Sequence, residues 1–572
     1  MQGPITSSHP ERGGSRHREG IPAVAAGVGE PVFHQGSQVK NAPMEQTSLA
    51  TGSPHVIRRS TPSESVGKQS ADGDLGEYQG HWLLPVTVTV IGMFMSALNT
   101  IIVNGAMPAI EKEFNIVSED VQWVSISYKL SLAAAVPASA WLGERLGLRR
   151  IYLLILLFMG ITAALCGMST SLGSLVFFRI LQAIPSALTP VTATCILYRL
   201  VPRRKLGLAM TMYGLGVVSA PSNSSLLSGF MVEHLNWRWI FYFETPLSMV
   251  GIVVAIVVLP NLPGRRGRRF DFLGYACISL GLCTLMLALS KGQDWGWASY
   301  KVLILFLIGA NLLVLFVGIE LWVQDPLLDM HVWAIRPFIV TQLLYDILLT
   351  VVYVVLGFVP QFLQQAQGLT PTYSGQVLMP LALVWMATLP IAGYIYTRFG
   401  PRWPTTIGLT LTGSASLLLT QVNVDLPRPD LIFFTCIWGA GVGLAFLPLL
   451  AAALAVLPPD LVNHGSTFRT LVQRITASFG LSLFTALETT QQTQIMADRS
   501  ALMKGSGADL DPRILQMQLS GPGGLLGLWQ QLELRSAAQA YSNVFFLVGA
   551  VALAGAVLAV TFRWRKVPGT GS

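Results

Sequence analysis

The sequence predicts an all-α membrane protein with fourteen transmembrane helices. Three observations carry that expectation. Of 572 residues, 52% are hydrophobic and only 12% charged. From Trp82 onward, apolar runs follow one another to the C-terminus. Basic clusters recur in alternate connections between those runs. Soluble domains carry about 25% charged residues, and one as apolar as this would expose large adhesive patches to water. Lipid removes that penalty if every backbone polar group is bonded inside a helix or a closed barrel.

A helix needs roughly 20 residues to cross the hydrocarbon layer. The first six runs of that length fall at 83–106, 121–142, 150–169, 172–197, 207–231 and 239–259. Two more fall at 272–290 and 301–323, and a last six at 337–361, 373–397, 404–422, 429–456, 466–487 and 541–562. Residues 1–80 are rich in Gly, Ser, Pro, Glu and Arg without apolar period, and are expected to form a disordered cytoplasmic tail. Translation from either Met1 or Met44 is compatible with that composition. The expected organisation is therefore a tail (1–80), a six-helix bundle (81–260), two inserted helices (261–335) and a second six-helix bundle (336–572). A long external loop, 488–540, lies within the second bundle.

Positive residues accumulate in cytoplasmic loops. Counting from an internal N-terminus, the inside loops carry Arg145, Arg149 and Arg150; Arg199, Arg203, Arg204 and Lys205; the Arg265–Arg269 cluster; and Arg398 and Arg402. Arg563, Arg565 and Lys566 follow the last span. Both termini are expected in the cytoplasm. The net charge of +8 is thus spread through short membrane-flanking loops. No basic face of a soluble domain is present to bind nucleic acid. The five cysteines sit inside apolar runs without metal or redox spacing, so they read as packing residues.

The connection after the second span contains Arg145-Leu146-Gly147-Leu148-Arg149, and that after the tenth contains Arg398-Phe399-Gly400-Pro401-Arg402. The shared Arg-x-Gly-x-Arg core suggests two parallel six-helix halves separated by an insertion of spans seven and eight.

Longer motifs point the same way. They are Gln122-Trp123 with Tyr128 and Leu142-Gly143-Glu144-Arg145-Leu146-Gly147, Phe178-Arg179-Ile180-Leu181-Gln182, Trp237-Arg238-Trp239-Ile240-Phe241, Phe270-Asp271-Phe272-Leu273-Gly274, Trp295-Gly296-Trp297, and Asp325-Pro326-Leu327-Leu328-Asp329. Together they resemble the fourteen-span drug:proton antiporters of the major facilitator superfamily, the EmrB/QacA type, from about Trp82 to the C-terminus. The resemblance implies a major facilitator fold, two six-helix bundles plus two inserted helices. It also implies secondary transport by alternating access, with efflux of drugs or amphiphilic small molecules. The proton gradient is the energy source and no cofactor is needed. Membrane lipids and a small-molecule or lipid-like substrate are the implied partners, and a periplasmic or envelope partner stays open. The chain departs from the family at Asn99, where an Asp usually precedes Thr-Ile-Val-Asn, and at Ser224–Gly229, where the fifth-span motif usually ends Gly-Pro-x-x-Gly-Gly.

A charge inside a span costs about 2.5–3.5 kcal/mol on insertion scales, so each asks for a function. Arg179 heads a polar stripe with Gln182, Ser186 and Thr189. Asn99, Lys129 and Arg179 lie at comparable depth and are expected to line one net-positive cavity, favouring an anionic or lipid-like group. The alternative for Lys129 is an outward snorkel. Asp346 shares a helical face with Gln342, Thr350 and Tyr353 and is the candidate coupling acid; its alternative is a structural pair with Arg474. Asn223 is a candidate substrate contact. Glu144, Arg145, Arg149, Arg150 and Arg398 are the candidate conformational gate, with topology marking as the plainer alternative. Glu244 and Glu320, near span ends, are expected to be solvated. A lipid enzyme would need convergent acids, histidines or a metal cluster, and no such set, and no metal site, is legible. A non-transporting sensor is the third reading, kept open by the altered motifs.

Overall fold

Fourteen apolar runs fold into fourteen long helical elements in the computed structural model, which describes residues 82–202, 205–264, 269–369, 371–423, 427–458, 461–503 and 522–562. The N-terminal tail, Met44, Arg265–Arg268 and Arg563–Lys566 lie outside the described residues. The first half comprises α1 (Leu83–Ile101), a broken α2 (Trp123–Ala135 and Ala138–Leu146), α3 (Leu148–Gly167), α4 (Leu172–Leu200), α5 (Leu206–His234) and α6 (Trp239–Val258). The inserted pair is α7 (Phe272–Trp295) and α8 (Tyr300–Trp322). The second half comprises α9 (Arg336–Gln365), α10 (Pro371–Phe399), α11 (Arg402–Leu418), α12 (Arg428–Ala455), α13 (Val462–Met503) and α14 (Pro522–Thr561).

Ten of these are long and apolar enough among the described residues to cross a membrane on that basis alone. The other four are α2, interrupted at Val136-Pro137; α5, apolar over Leu206–Ala220; α11, with 17 residues; and α13, whose sequence is largely polar. Each is packed among the other helices, where polar side chains find partners that lipid would deny them. The segment expected as a long external loop is helical wherever it is described. α13 extends to Met503 and α14 begins at Pro522, while 504–521 lies outside the described residues.

The halves repeat each other. In the first, α3 packs on α4 and α6, α4 on α2 and α1, and α1 on α5 and α6. Adding eight to every number gives the second half: α11 on α12 and α14, α12 on α10 and α9, α9 on α13 and α14. The loop repeat seen in the sequence marks the same symmetry. Gly147 and Gly400 both take positive φ, 83° and 76°, which permits the tight connection. The arginine two residues on then bonds the end of the last helix of its own half. Arg149 Nη2 donates to Ile256 O at 2.8 Å, and Arg402 Nη2 donates to Val560 O at 2.8 Å.

α4 and α12 are the central helices, 83% buried over their apolar windows, whereas α8 is 17% buried and most of its surface is free to meet lipid. α7 leans on α2 of one half and α13 of the other. Its side chains bond carbonyls across both seams, Ser279 Oγ to Ala134 O and, from α13, Ser482 Oγ to Leu289 O, each at 2.9 Å.

Candidate functional site

Asn99, Gln182 and Arg179 come together as the stripe on α4 predicts, and they meet a fourth residue that was expected in water. Glu244 is 4% exposed and lies among α1, α4 and α6. Its Oε1 accepts from Asn99 Nδ2, and its Oε2 accepts from Gln182 Nε2 at 2.9 Å. Gln182 Nε2 also reaches Asn99 Oδ1 at 3.2 Å. Arg179, fully buried, donates from Nη1 to Gln182 Oε1 at 2.8 Å and from Nη2 to the Asn99 carbonyl at 3.0 Å. Its guanidinium lies 3.9 Å from the Tyr128 ring centroid, a stacked arrangement that favours a weakly hydrated cation.

The solvated placement of Glu244 is therefore overturned, and with it the idea that nothing offsets Arg179. Distance from a span end measures depth, not direction. Glu244, Ser248, Gly251 and Ala255 recur at helical spacing and are all buried, so they form the inward face of α6. That small-and-polar stripe is the sequence signal that identifies Glu244. Glu320 is likewise buried, its Oε1 accepting from Leu328 N at 3.3 Å.

Lys129, by contrast, is exposed. α7 bonds the backbone of α2 at Leu130 and Ala134. Lys129, one helical step of about 100° away, turns from that contact. Asn223 belongs to α5, but its side chain lies outside the described residues.

In the second half, Asp346 is 7% exposed and both of its oxygens accept from Gln342 Nε2, at 2.9 and 3.0 Å. The expected partner Arg474 is not the cation nearest in effect. Asp346 feels Arg469, whereas Arg474 acts on Tyr128 and Tyr213 of the first half. Arg469 is 2% exposed, lies over the Tyr345 ring at 5.5 Å, and leaves Nε and Nη1 without a hydrogen-bond partner among the described residues. The sequence reading passed over Arg469. Ser466, Arg469 and Gln473 share one face of α13 and gave the available signal.

The gate candidates separate. At the end of the bundle that carries the basic loops, polar contacts join the halves. Glu144 Oε1 meets His464 Nε2 at 3.3 Å and Asn463 Nδ2 at 3.5 Å, Ser139 Oγ meets Thr467 Oγ1 at 3.1 Å, and Tyr198 OH donates to Ala451 O at 2.8 Å. Arg145 lies over Trp141, Arg149 bonds Ile256 of its own half, and Arg398 bonds Tyr394 OH of its own helix. Arg150 is exposed. Of the five, the structure places Glu144 across the seam.

His464 holds that seam in a fixed tautomer. Its Nδ1 accepts from the Asp329 backbone N–H at 3.2 Å, so Nε2 carries the proton offered to Glu144. Burial pushes the Asp329 carboxyl up, but bonds from the His331 backbone and ring outweigh it and hold that carboxyl below its usual range. The loop after the insert is thus anchored beside the gate. His464→Ala removes two bonds at once. Labelling of a Ser139→Cys thiol by an impermeant maleimide from the basic-loop side is expected to rise about tenfold, the equivalent of about 1.4 kcal/mol. Unchanged labelling would show that the seam closes without His464.

At the opposite end, the Trp-Arg-Trp segment is a fastener. Arg238 Nη1 pairs with Glu113 at 2.5 Å, its Nη2 donates to Ser169 O at 3.0 Å, and Trp237 Nε1 donates to the other Glu113 oxygen. These bonds tie together the connections after α1, α3 and α5.

The chain is 30% identical to the uncharacterized MFS-type transporter YhcA of Bacillus subtilis, over 71% of this chain and 76% of that protein. It is 25% identical to the multidrug export protein EmrB of Escherichia coli, over 82% of this chain and 92% of that one. Its fold matches the crystal structure of the human organic anion transporter MFSD10, with TM-score 0.55 and 12% identity, covering 83% of this chain and 100% of that one. Residues 89–481 match the sequence model of the Major Facilitator Superfamily, and with two repeated six-helix halves around a buried polar seam, the chain belongs to that superfamily of membrane transporters.

Proposed function

We propose that this transporter exports amphiphilic organic molecules across the cytoplasmic membrane, driven by the proton gradient, with its basic loops and both termini inside. The observation that carries the reading is Asp346. It is a buried carboxylate on α9 whose described hydrogen-bond donor is one amide, and it faces a buried arginine with which it forms no ion pair within 4.0 Å among the described residues. An acid and a base held apart in a low-dielectric seam can be joined or separated by one proton, and alternating access needs such a bistable contact. In this reading the Glu144–His464 contact is a closing contact of the cytoplasmic end.

The substrate reading rests on charge and surface. Lys129, Arg179, Arg469 and Arg474 on α2, α4 and α13 outnumber the acids Glu244 and Asp346, a positive excess that favours an amphiphile bearing an acidic group. The name of the related EmrB, a multidrug export protein, agrees with outward transport of foreign amphiphiles. A sensor that carries nothing would show no flux at all.

The test is flux in proteoliposomes holding the full chain, with an imposed pH gradient and a panel of anionic, neutral and cationic fluorescent amphiphiles. The gradient is expected to accelerate flux, and Asp346→Asn to remove the acceleration. Lys129→Gln with Arg474→Gln is expected to slow anionic probes about tenfold more than cationic ones, as a charge term of about 1.4 kcal/mol predicts. Gradient-driven flux that survives Asp346→Asn would overturn the role of this acid.

A further inference from the structure

Glu244 sits in a hydrogen-bond ring whose donor and acceptor parity allows one arrangement while the carboxylate is charged. Both oxygens accept N–H donors, from Asn99 and Gln182. Gln182 accepts at Oε1 from Arg179 Nη1 at 2.8 Å and from the Cys166 thiol at 3.6 Å. Asn99 Oδ1 accepts from Gln182 Nε2. The groups facing Glu244 from the packed helices are Arg179 on α4, Tyr128 on α2 and Cys166 on α3, and α1 contributes no charged side chain. No cation lies within ion-pair distance of Glu244 among the described residues; Arg179 reaches it through the Gln182 amide.

We propose that Glu244 binds a proton during transport and that Gln182 is the relay that converts this event into release of Arg179. The inference rests on the proton-driven reading above and adds to it a second acid in the other half. A proton on Oε2 turns that oxygen into a donor facing the Gln182 NH2. The amide must then rotate to present Oε1 to the acid. Its NH2 now faces Arg179 Nη1, donor against donor, and that bond is lost. The rotated amide also gives up its bond to Asn99 Oδ1, and Arg179 keeps its bond to the Asn99 carbonyl while losing its hold on α4's own glutamine. Loss of the proton reverses the rotation. One proton therefore switches how α1, α4 and α6 are held together, and no covalent bond other than the O–H is made or broken.

Cys166 supplies a built-in reporter, because the same rotation takes away its acceptor. Infrared difference spectra of the full chain in lipid, neutral against acidic pH, are expected to show a protonated-carboxyl band appearing together with a shift of a thiol S–H band. Cys166→Ala removes the S–H feature. Asp346→Asn removes the second acid's carboxyl component and leaves the S–H shift, and in that background Glu244→Gln removes both remaining features. Gln182→Met keeps the carboxyl band and loses the S–H shift. Because Asn99 and Glu244 touch, the paired variant Asn99→Asp with Glu244→Gln exchanges acid and amide in place, and the carboxyl band is expected to return. Measured in the Asp346→Asn background, a pH-dependent carboxyl component left unchanged by Glu244→Gln, or an S–H shift that survives it, overturns the proposal. If Glu244→Gln does not fold, absence of the band in the paired variant overturns it. The spectra require no substrate, so failure here is distinguishable from failure of gradient-driven export.

Discussion

Arg179→Leu is expected to abolish transport and to lower the stability of the first half by upwards of about 2 kcal/mol, since two buried acceptors lose a charged donor at about 1–3 kcal/mol each. The loss arises less from the arginine than from what it leaves behind. Glu244 would stay buried with no compensating charge, the Asn99 carbonyl and Gln182 Oε1 would each lose a donor, and the Tyr128 face would lose its cation. Arg179→Lys restores the charge, but a single ammonium cannot fork between Gln182 and the Asn99 carbonyl as the planar guanidinium does. It is expected to fold and still transport poorly. The paired variant Arg179→Leu with Glu244→Gln should recover much of the stability and none of the transport. Thermal unfolding of the purified chain beside flux in vesicles separates these outcomes. If Arg179→Leu unfolds at the parental temperature, the network is not a structural unit.

The second large effect is steric. Gly408 on α11 faces α12 so closely that a Cβ there would lie 2.6 Å from both Ala445 N and Gly441 O. Gly441 returns the approach, since its Cβ would lie 2.5 Å from Thr412 N. Both obstacles are backbone, which cannot rotate away. Gly408→Leu must therefore push α11 from α12, the central helix of its half. It is expected to cost upwards of about 3 kcal/mol, the high end for overpacking. The expected result is little folded protein extracted from the membrane. Gly318→Leu on α8 is the control, because no atom lies within 4 Å of its Cβ and the site is exposed. Equal yields for the two would refute a backbone-tight α11–α12 contact.

Much of this was legible before any coordinates. The number of long helical elements and the repetition of the halves followed from apolar runs and one repeated Arg-x-Gly-x-Arg core, because lipid forces sequence and topology into register. The polar stripe on α4 located Arg179 and Gln182 for the same reason. Legibility failed where direction mattered more than depth. Glu244 and Glu320 were read from their distance to a span end, while burial depended on which neighbour their helix face met. Arg474 was named and Arg469 passed over; the two lie on one helix, where each residue turns a side chain by about 100°, and the sequence does not state which of them is turned toward Asp346. The gate was read from the charge of Arg145, Arg149, Arg150 and Arg398. Yet the contact across the seam runs from Glu144 to His464, and nothing in a single chain's loops states which residue 320 positions away will face them. The apolar run at 466–487 located α13, but its polar continuation to Met503 was read as loop because it carries no apolar period.

The inserted helices have a mechanical consequence. α7 is bonded to α2 through Ala134 and to α13 through Leu289, so it touches both moving bodies at once. If the halves rock as proposed, one of those seams must shear, and carbonyl bonds made by single serine hydroxyls would slide at small cost, so that α7 would act as a bearing between two counter-rotating blocks.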